Sequence, residues 1–281
     1  MSYSLNDLYR SMGVSKQSVH QSKQRQLAFD RELALLVVLA DELKEEHPGC
    51  GVEKMYYTLQ PQFMGRDKFC EIFLSLGYGV KRMRNYTKTT VRGITYYPNL
   101  IEGAVVSRPF QVIQSDITYF LLNDVHYYMV FIIDVYSRLI VGYNVGNNLR
   151  AEANARALKM ALDRMDYPPW ELIHHSDKGS QYSSRLYEGL LDKAHIHPSM
   201  GNAAWENPYA ERINGIIKNE FLKRWSIKDL KQLCKKTDQA VHYYNNKRKH
   251  RAFKMRYTPE EFYQKQLTLD QASRPTVHIY A

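Results

Sequence analysis

The sequence predicts an α/β fold built on a mixed five-stranded sheet with helices on both faces. Three apolar runs of strand length follow one another closely, at residues 112–120, 126–135 and 139–145. After them, apolar positions at helical spacing alternate with short strand-like segments. Consecutive strands followed by alternating helices and strands are typical of a sheet that has both antiparallel and parallel neighbours.

The short connections between the first three strands predict an antiparallel meander. Asn123 and Asp124 form a turn signal after the first strand, and residues 136–138 leave room for a second hairpin. The later elements are predicted as a helix over 157–165, a strand over 171–175, a helix over 186–194, a strand over 196–200 and a helix over 211–221. This order, βββαβαβα, is that of a ribonuclease-H-like domain.

The first hundred residues predict helices separated by glycine turns. Apolar residues over 5–12 repeat at helical spacing, and Ser15 is placed to cap a second helix. A further apolar stripe covers 33–43, and two shorter periodic pieces follow at 52–59 and 67–76. Each unit fits a helix-turn-helix that reads a DNA groove, and each fits a purely structural helical bundle equally well.

Changes in composition divide the chain into four predicted segments. Residues 81–92 are basic without a clear period, and residues 93–109 hold two prolines, so this stretch is a candidate linker that could follow a DNA backbone. The predicted segments are a helical, helix-turn-helix-like region at 1–80, a basic linker at 81–108, the ribonuclease-H-like α/β core at 109–222 and a basic helical tail at 223–281.

The overall composition is that of a globular chain. Its 281 residues are 44% hydrophobic and 24% charged, enough for two or three small domains. No apolar run approaches the ~18 residues of a membrane span, and the first residues lack a secretory signal pattern. Cys50, Cys70 and Cys234 form no CxxC pair, so neither a disulfide framework nor a structural zinc site is predicted. We expect a cytoplasmic protein.

The positive charge is concentrated in one segment. Residues 221–257 contain twelve Lys or Arg against Asp229 and Asp238, which accounts for the whole net charge of +10. Such a segment suits a polyanion such as nucleic acid, although a solvated helical face would have a similar composition. The basic run at 247–251 follows the pair Tyr243 and Tyr244, and this combination favours contact with phosphates and bases.

Two acidic residues lie on or beside predicted strands. Strand alternation places Gln114, Asp116 and Thr118 on one face, so Asp116 interrupts an apolar strand. A carboxylate there is costly unless it is paired or binds a metal. Asp177 ends a predicted strand just before Gly179, at the kind of strand end where α/β sheets bind ligands. Taken singly, Asp116 could be a structural residue and Asp177 part of an ordinary turn.

A third carboxylate, Glu211, lies near the start of a predicted helix. Asn214 and Lys218 follow it by three and seven residues, so one stripe presents a carboxylate, an amide and an ammonium away from the apolar face. A solvent-facing helix could show the same stripe. Together with the two strand carboxylates, however, Glu211 can converge on one edge of the predicted sheet.

Three convergent carboxylates suit two divalent cations. Two hard ions ~3.5–4 Å apart can activate a water or a 3′-hydroxyl and stabilise the departing oxygen in phosphodiester chemistry. Oxygen ligands favour Mg²⁺ or Mn²⁺. His174 and His175 are adjacent on a predicted strand and therefore point to opposite faces, so we interpret them not as zinc ligands but as packing residues or as residues that support the ligands of a site.

Four motifs in succession resemble the signatures of one family. They are FQVIQSDITY at 110–119, IDVYSR at 133–138, HSDKGSQY at 175–182 and NPYAE at 207–211. In this order they are similar to the OrfB transposases of the insertion-sequence-three group, which belong with retroviral integrases. Residues 51–84 and 244–262 also resemble that family's helix-turn-helix region and tail, so the resemblance covers most of the chain.

The resemblance implies a DDE transposase whose metal-binding catalytic residues are Asp116, Asp177 and Glu211. Its reaction would be metal-dependent cleavage of transposon ends followed by 3′-hydroxyl attack on target DNA, without a covalent protein–DNA intermediate. Asp134 also matches a family motif, where its role is fold support. The stretch of 33 residues between Asp177 and Glu211 is shorter than usual in the group. Glu206 is the alternative third ligand.

The expected ligand is double-stranded DNA, both transposon terminal repeats and target. The predicted DNA contacts are Lys81, Arg82, Arg84, Lys178, Asn214, Lys218, Lys247, Arg248, Lys249 and Arg251. We also expect further copies of the chain on DNA, an OrfA product as partner or fusion, and association with a bacterial nucleoid. Two other functions fit the sequence: a catalytically inactive DNA-binding regulator, and a structure-specific nuclease on the same fold.

Overall fold

The computed structural model describes residues 4–81, 96–165, 171–202 and 204–279. None of the helices in these ranges combines the length and apolar character needed to span a membrane. The chain forms two compact units, one of Met1–Glu46 with Cys50–Val80 and one of His47–Gly49 with Lys81–Ala281.

The first unit is helical, as the sequence predicts. Its helices are α1 (Leu5–Ser11), α2 (Lys16–Glu46), α3 (Val52–Leu59) and α4 (Arg66–Ser75). The predicted glycine turn after the first helix is present at Gly13, with φ of +66°, and the Ser15 hydroxyl accepts a hydrogen bond from the Ser18 amide as a cap. The separate stripe predicted at 33–43 is part of one 31-residue helix, because no Gly or Pro interrupts residues 16–46.

The second unit contains two sheets. Strand β1 (Val105–Val106) pairs with β7 (Val277–His278), a pairing that the sequence did not predict. The five-stranded sheet consists of β2 (Val112–Leu122), β3 (Val125–Asp134), β4 (Ile140–Gly146), β5 (Ile173–Ser176) and β6 (His197–Met200), in the order β4-β3-β2-β5-β6. The β2–β3 and β3–β4 pairs are antiparallel, and the β2–β5 and β5–β6 pairs are parallel. This topology confirms the predicted ribonuclease-H-like sheet.

The backbone conformation of the turn between β2 and β3 is explained by its two residues, Asn123 and Asp124. Asn123 and Asp124 have φ of 49° and 59°, so both adopt the left-handed conformation of a type I′ hairpin turn. Asn and Asp tolerate this conformation better than other residues with a side chain. The predicted hairpin with its Asn–Asp turn is therefore confirmed, and the loop consists of these two residues alone.

Helices flank the sheet. They are α5 (Ala151–Asp163), α6 (Arg185–Lys193), α7 (Pro208–Ile216), α8 (Leu230–Asn246) and α9 (Pro259–Leu267), and a π-helical turn, Ile217–Phe221, continues α7. Residue Gly142 on β4 allows α5 to pack closely, since a Cβ there would lie 2.0 Å from the carbonyl oxygen of Ala157. The capping box of Thr258 and Glu261 begins α9.

Helix α8 packs against the edge strand β4. The Asn245 side chain accepts a hydrogen bond from the Ile140 amide at 3.0 Å and donates one to the Ile140 carbonyl at 2.9 Å. One amide side chain thereby satisfies both backbone groups of an edge residue. The segment predicted as a tail from residue 223 thus lies within the same compact unit as the sheet.

Candidate active site at the sheet edge

Strand pairing places Asp116 beside Asp177. Gln114 on β2 and His175 on β5 are register partners in a parallel pair. Asp116 and Asp177 each lie two residues beyond that pair in the same direction, so they project from neighbouring positions. The amide of Gly179 donates to Asp177 Oδ1 at 3.0 Å, which orients this carboxylate at the strand end.

The start of α7 is hydrogen-bonded to β2. Asn207 Nδ2 donates to the Ser115 carbonyl at 2.8 Å, and the Tyr209 amide donates to Gln114 Oε1 at 3.0 Å. These bonds hold the N-terminal turn of α7, which carries Glu211, against the strand that carries Asp116. The sequence motifs included Asn207, but its anchoring role was not predicted; a polar residue just before a proline-initiated helix was the available signal.

Two further residues of α7 and its π-helical extension also face β2. Asn214 Nδ2 donates to Asp116 Oδ2 at 2.7 Å, and Lys218 Nζ donates to Thr118 Oγ1 at 2.5 Å. Asn214 and Lys218, two members of the predicted polar stripe, therefore contact the polar face of β2. Asn214 is buried and its amide contacts the Asp116 carboxylate, so it is not exposed at the surface as the predicted DNA contact would require.

The three carboxylates affect one another electrostatically. Burial raises the pKa of Asp116 to about 7, with further contributions from the Asp177 and Glu211 charges, while the hydrogen bond from Asn214 opposes the shift. Burial, and then the Asp177 charge, also raises the pKa of Glu211. Carboxylates that repel one another in this way attract a cation, because a positive ion would remove the penalty of ionising all three.

The donor set fits a hard divalent cation. It consists of carboxylate oxygens, and the buried Oδ1 of Asn214 has no hydrogen-bond partner among the described residues. In those same residues no three His, Cys, Asp or Glu side chains already form a cluster able to hold an ion. An ion held by all three carboxylates would therefore require their side chains to come closer together, and Glu211 is the exposed one of the three.

The alternative third ligand, Glu206, has different partners. Its Oε2 accepts hydrogen bonds from Asn99 Nδ2 at 3.0 Å and from the Asn202 amide at 2.9 Å. The carboxylates that act on Asp116 are those of Asp177 and Glu211. The hydrogen bonds of Glu206 and the charges that act on Asp116 therefore favour Glu211 over Glu206.

The predicted DNA contacts occupy varied positions. Lys178, next to Asp177, donates to Asn202 Oδ1 at 2.5 Å and lies 4.7 Å from the centre of the Tyr96 ring. Lys247 and Arg251 are exposed, and Lys249 donates to Glu261 Oε2 at 2.8 Å. Lys81 is exposed. Arg82 and Arg84 lie outside the described residues.

Arg248 requires a correction. Its side chain is 7% exposed, and its Nε and one terminal nitrogen each donate to the Glu220 carboxylate at 2.9 Å. Glu220 also bonds to His47, which stacks on Phe221. A buried guanidinium held by a bidentate carboxylate supports the fold, so Arg248 is not carried forward as a DNA contact.

The strand that precedes Asp177 contains two buried histidines. His174 Nε2 shares a hydrogen bond with the Tyr187 hydroxyl at 2.8 Å, and His175 Nδ1 shares one with the Ser199 hydroxyl at 2.9 Å. Burial lowers the pKa of His174 to about 3 and that of His175 to about 4. Both therefore pack as neutral rings in the folded protein, in accord with their interpretation as packing residues.

These histidines predict a loss of stability in acid. An unfolded histidine takes up a proton near pH 6.5, whereas His174 and His175 resist protonation until pH falls further, so the unfolded chain binds more protons between these values. The free energy of unfolding should therefore fall by roughly 2 kcal/mol per histidine between pH 7 and pH 5. In urea unfolding, His174→Gln should lose about half as much free energy of unfolding to these two histidines between pH 7 and pH 5 as the wild type does. The exposed control His197→Gln should lose as much as the wild type over the same pH range. Equal pH dependence in His174→Gln and wild type would contradict the prediction.

The fold and the site define an integrase-type catalytic core. Sequence profiles described as integrase core domain match residues 106–204 and 193–259. The transposase for insertion sequence element IS629 of Shigella sonnei is 30% identical over 239 residues, covering 83% of this chain and 80% of that protein. The InsF transposase for insertion sequence IS3fB of Escherichia coli K12 is 32% identical over 151 residues, covering 52% of each.

A solved structure of the HTLV-2 integrase catalytic core domain in complex with magnesium is 17% identical, with a TM-score of 0.43, covering 56% of this chain and 97% of that one. On the sequence matches, this chain belongs to the DDE transposases of the IS3 type, which have an integrase-like core. The resemblance predicted from the motifs is confirmed.

Proposed function

We propose that this chain cleaves DNA at transposon ends and joins the resulting 3′-hydroxyl to target DNA in a metal-dependent reaction. The observation that carries the proposal is the electrostatic coupling of Asp116, Asp177 and Glu211 at one sheet edge, where burial and the other two charges raise the pKa of Asp116 to about 7. Such coupled carboxylates are typical of sites for phosphoryl transfer.

The residues of the site have separate roles in this proposal. Asp116, Asp177 and Glu211 would hold Mg²⁺ or Mn²⁺, in one or two ions. The ions would supply Lewis acidity for the attacking and departing oxygens. Asn214 holds Asp116 in a defined orientation through its 2.7 Å hydrogen bond. Lys218 presents an ammonium beside Thr118 at the same edge and is a proposed phosphate contact.

The partners and location follow from the same proposal. The exposed residues Lys81, Lys247 and Arg251, together with Lys178 beside the site, are proposed contacts to the DNA backbone. Several copies of the chain would assemble on the paired ends, with an OrfA product as a separate partner or a fusion. The site of action would be the cytoplasm, at the bacterial nucleoid.

The test uses purified protein and linear DNA that ends in the terminal repeats read from the flanks of its own gene. We expect strand joining with Mg²⁺ or Mn²⁺ and none with a chelator. Products that are cut but never joined would favour the structure-specific nuclease. Salt-dependent binding without any metal-dependent product would favour the inactive regulator.

A further inference from the structure

A cationic cavity lies on a different side of α7 from the carboxylates. It has a volume of about 340 Å³ and is open to solvent. Its walls are α7, the turn after β3, the end of α8 and the 3₁₀ turn Arg251–Phe253. Three arginines, Arg138, Arg212 and Arg251, are among its ten lining residues, and none of these ten is acidic. The lining of the cavity therefore contains three positive side chains and no negative one.

Arg138 is oriented for binding by its neighbours. Its guanidinium lies 4.1 Å from the centre of the Tyr209 ring, and NH1 donates to the Val135 carbonyl. Stacking on an aromatic face fixes the plane of a guanidinium, and the group has five N–H donors in that plane. The bond to Val135 uses one donor, so the Arg138 edge retains the capacity to bind an anion.

The charges converge on one wall of the cavity. The Tyr244 hydroxyl donates to the Arg138 carbonyl at 3.0 Å. Burial raises the pKa of Tyr244 to about 12, with a contribution from the Glu220 charge, against the opposing charges of Arg248, Arg138 and Arg212. The charges of Arg138, in the turn after β3, and of Arg212, on α7, therefore both act on the Tyr244 hydroxyl.

We infer that this cavity binds a phosphodiester of the DNA backbone. Guanidinium groups bind phosphate oxygens in a bidentate manner, and the apolar walls of Ile213 and Ile216 suit the face of a sugar. Arg212 follows Glu211 directly, and successive residues of a helix point roughly 100° apart. A strand held in the cavity would thus pass around α7 next to the carboxylates. The inference rests on the proposed function, because it assigns part of the DNA path.

The test measures DNA binding without metal. Binding of a labelled linear duplex by Arg212→Gln with Arg251→Gln is compared across salt concentrations in the presence of a chelator. Each lost phosphate contact lowers the salt slope by about 1, so we expect a slope reduced by roughly 2 and binding weaker by about tenfold or more. The control pair Lys159→Gln with Lys193→Gln removes equal charge from exposed positions outside the cavity, and its slope should match the wild type.

Two results would overturn the inference. Unchanged slope and affinity in the arginine pair would show that the cavity does not hold DNA. A change in oligomeric state by sedimentation, with the slope unchanged, would instead indicate that the cavity receives a carboxylate from a second copy. Because these measurements contain no metal, a protein that passes them but joins no DNA would disprove the proposed function and leave the cavity assignment standing.

Discussion

Replacing Asp177 with asparagine should reduce strand joining by a factor on the order of 10³ or more, because metal assistance contributes several kcal/mol to such reactions. Asp177 follows the end of β5, next to Asp116 on the neighbouring parallel strand β2, and its charge raises the pKa of both Asp116 and Glu211. Asparagine keeps the side-chain shape and an oxygen to accept from the Gly179 amide. The variant should therefore fold and bind DNA normally while losing the charge that attracts the cation.

The matched control is Asp192→Asn, an exposed aspartate on α6. Both variants are assayed for joined product with Mg²⁺ and for duplex binding with a chelator. Asp192→Asn should join DNA at the wild-type rate. Wild-type joining by Asp177→Asn would remove Asp177 from the catalytic set, while loss of joining in both variants would point to a general effect of surface charge.

The sheet was predictable because its signals are local. Alternation in β2 placed Gln114, Asp116 and Thr118 on one face, and the structure shows those side chains bonded to Tyr209, Asn214 and Lys218. The Asn–Asp turn and the helical periodicities likewise depend only on neighbouring residues. In contrast, β1 and β7 are each two residues long and far apart in the sequence, so neither is long enough to show the alternating pattern that predicts a strand.

The buried ion pair of Arg248 with Glu220 was not predictable from the sequence. Arg248 lies in the basic run at 247–251, where composition favours an exposed DNA contact. Its buried partner Glu220 is 28 residues away in the sequence. Glu220 lies in the π-helical turn Ile217–Phe221, which no local sequence pattern predicts. For the same reason, Asn214 was placed on the correct helix face but given a surface role. Sequence periodicity predicts the helix or strand face on which a residue lies, whereas the contacts of its side chain are known only from the folded structure.

Asp134 gives the largest expected effect on stability. It is fully buried, and its carboxylate accepts hydrogen bonds from the Phe110 amide at 2.9 Å and from the Ser137 amide and hydroxyl at 2.9 and 2.5 Å. Phe110 has φ of 54°, a conformation that is unfavourable for an aromatic residue and is held by this bond. Asp134→Ala leaves three buried donors unsatisfied, so the free energy of unfolding should fall by about 3–5 kcal/mol.

Urea unfolding followed by tryptophan fluorescence measures this effect, because all three tryptophans follow residue 81 and so report on the second unit. Asp163→Ala, at the exposed end of α5, should change the free energy of unfolding by less than about 0.5 kcal/mol. Asp134→Asn keeps one acceptor oxygen but places an amide group opposite a hydrogen-bond donor. Its loss in free energy of unfolding should therefore lie between those of Asp163→Ala and Asp134→Ala. A loss below about 1 kcal/mol for Asp134→Ala would mean that water or a backbone shift satisfies the three donors, and that Asp134 does not hold the turn between β3 and β4.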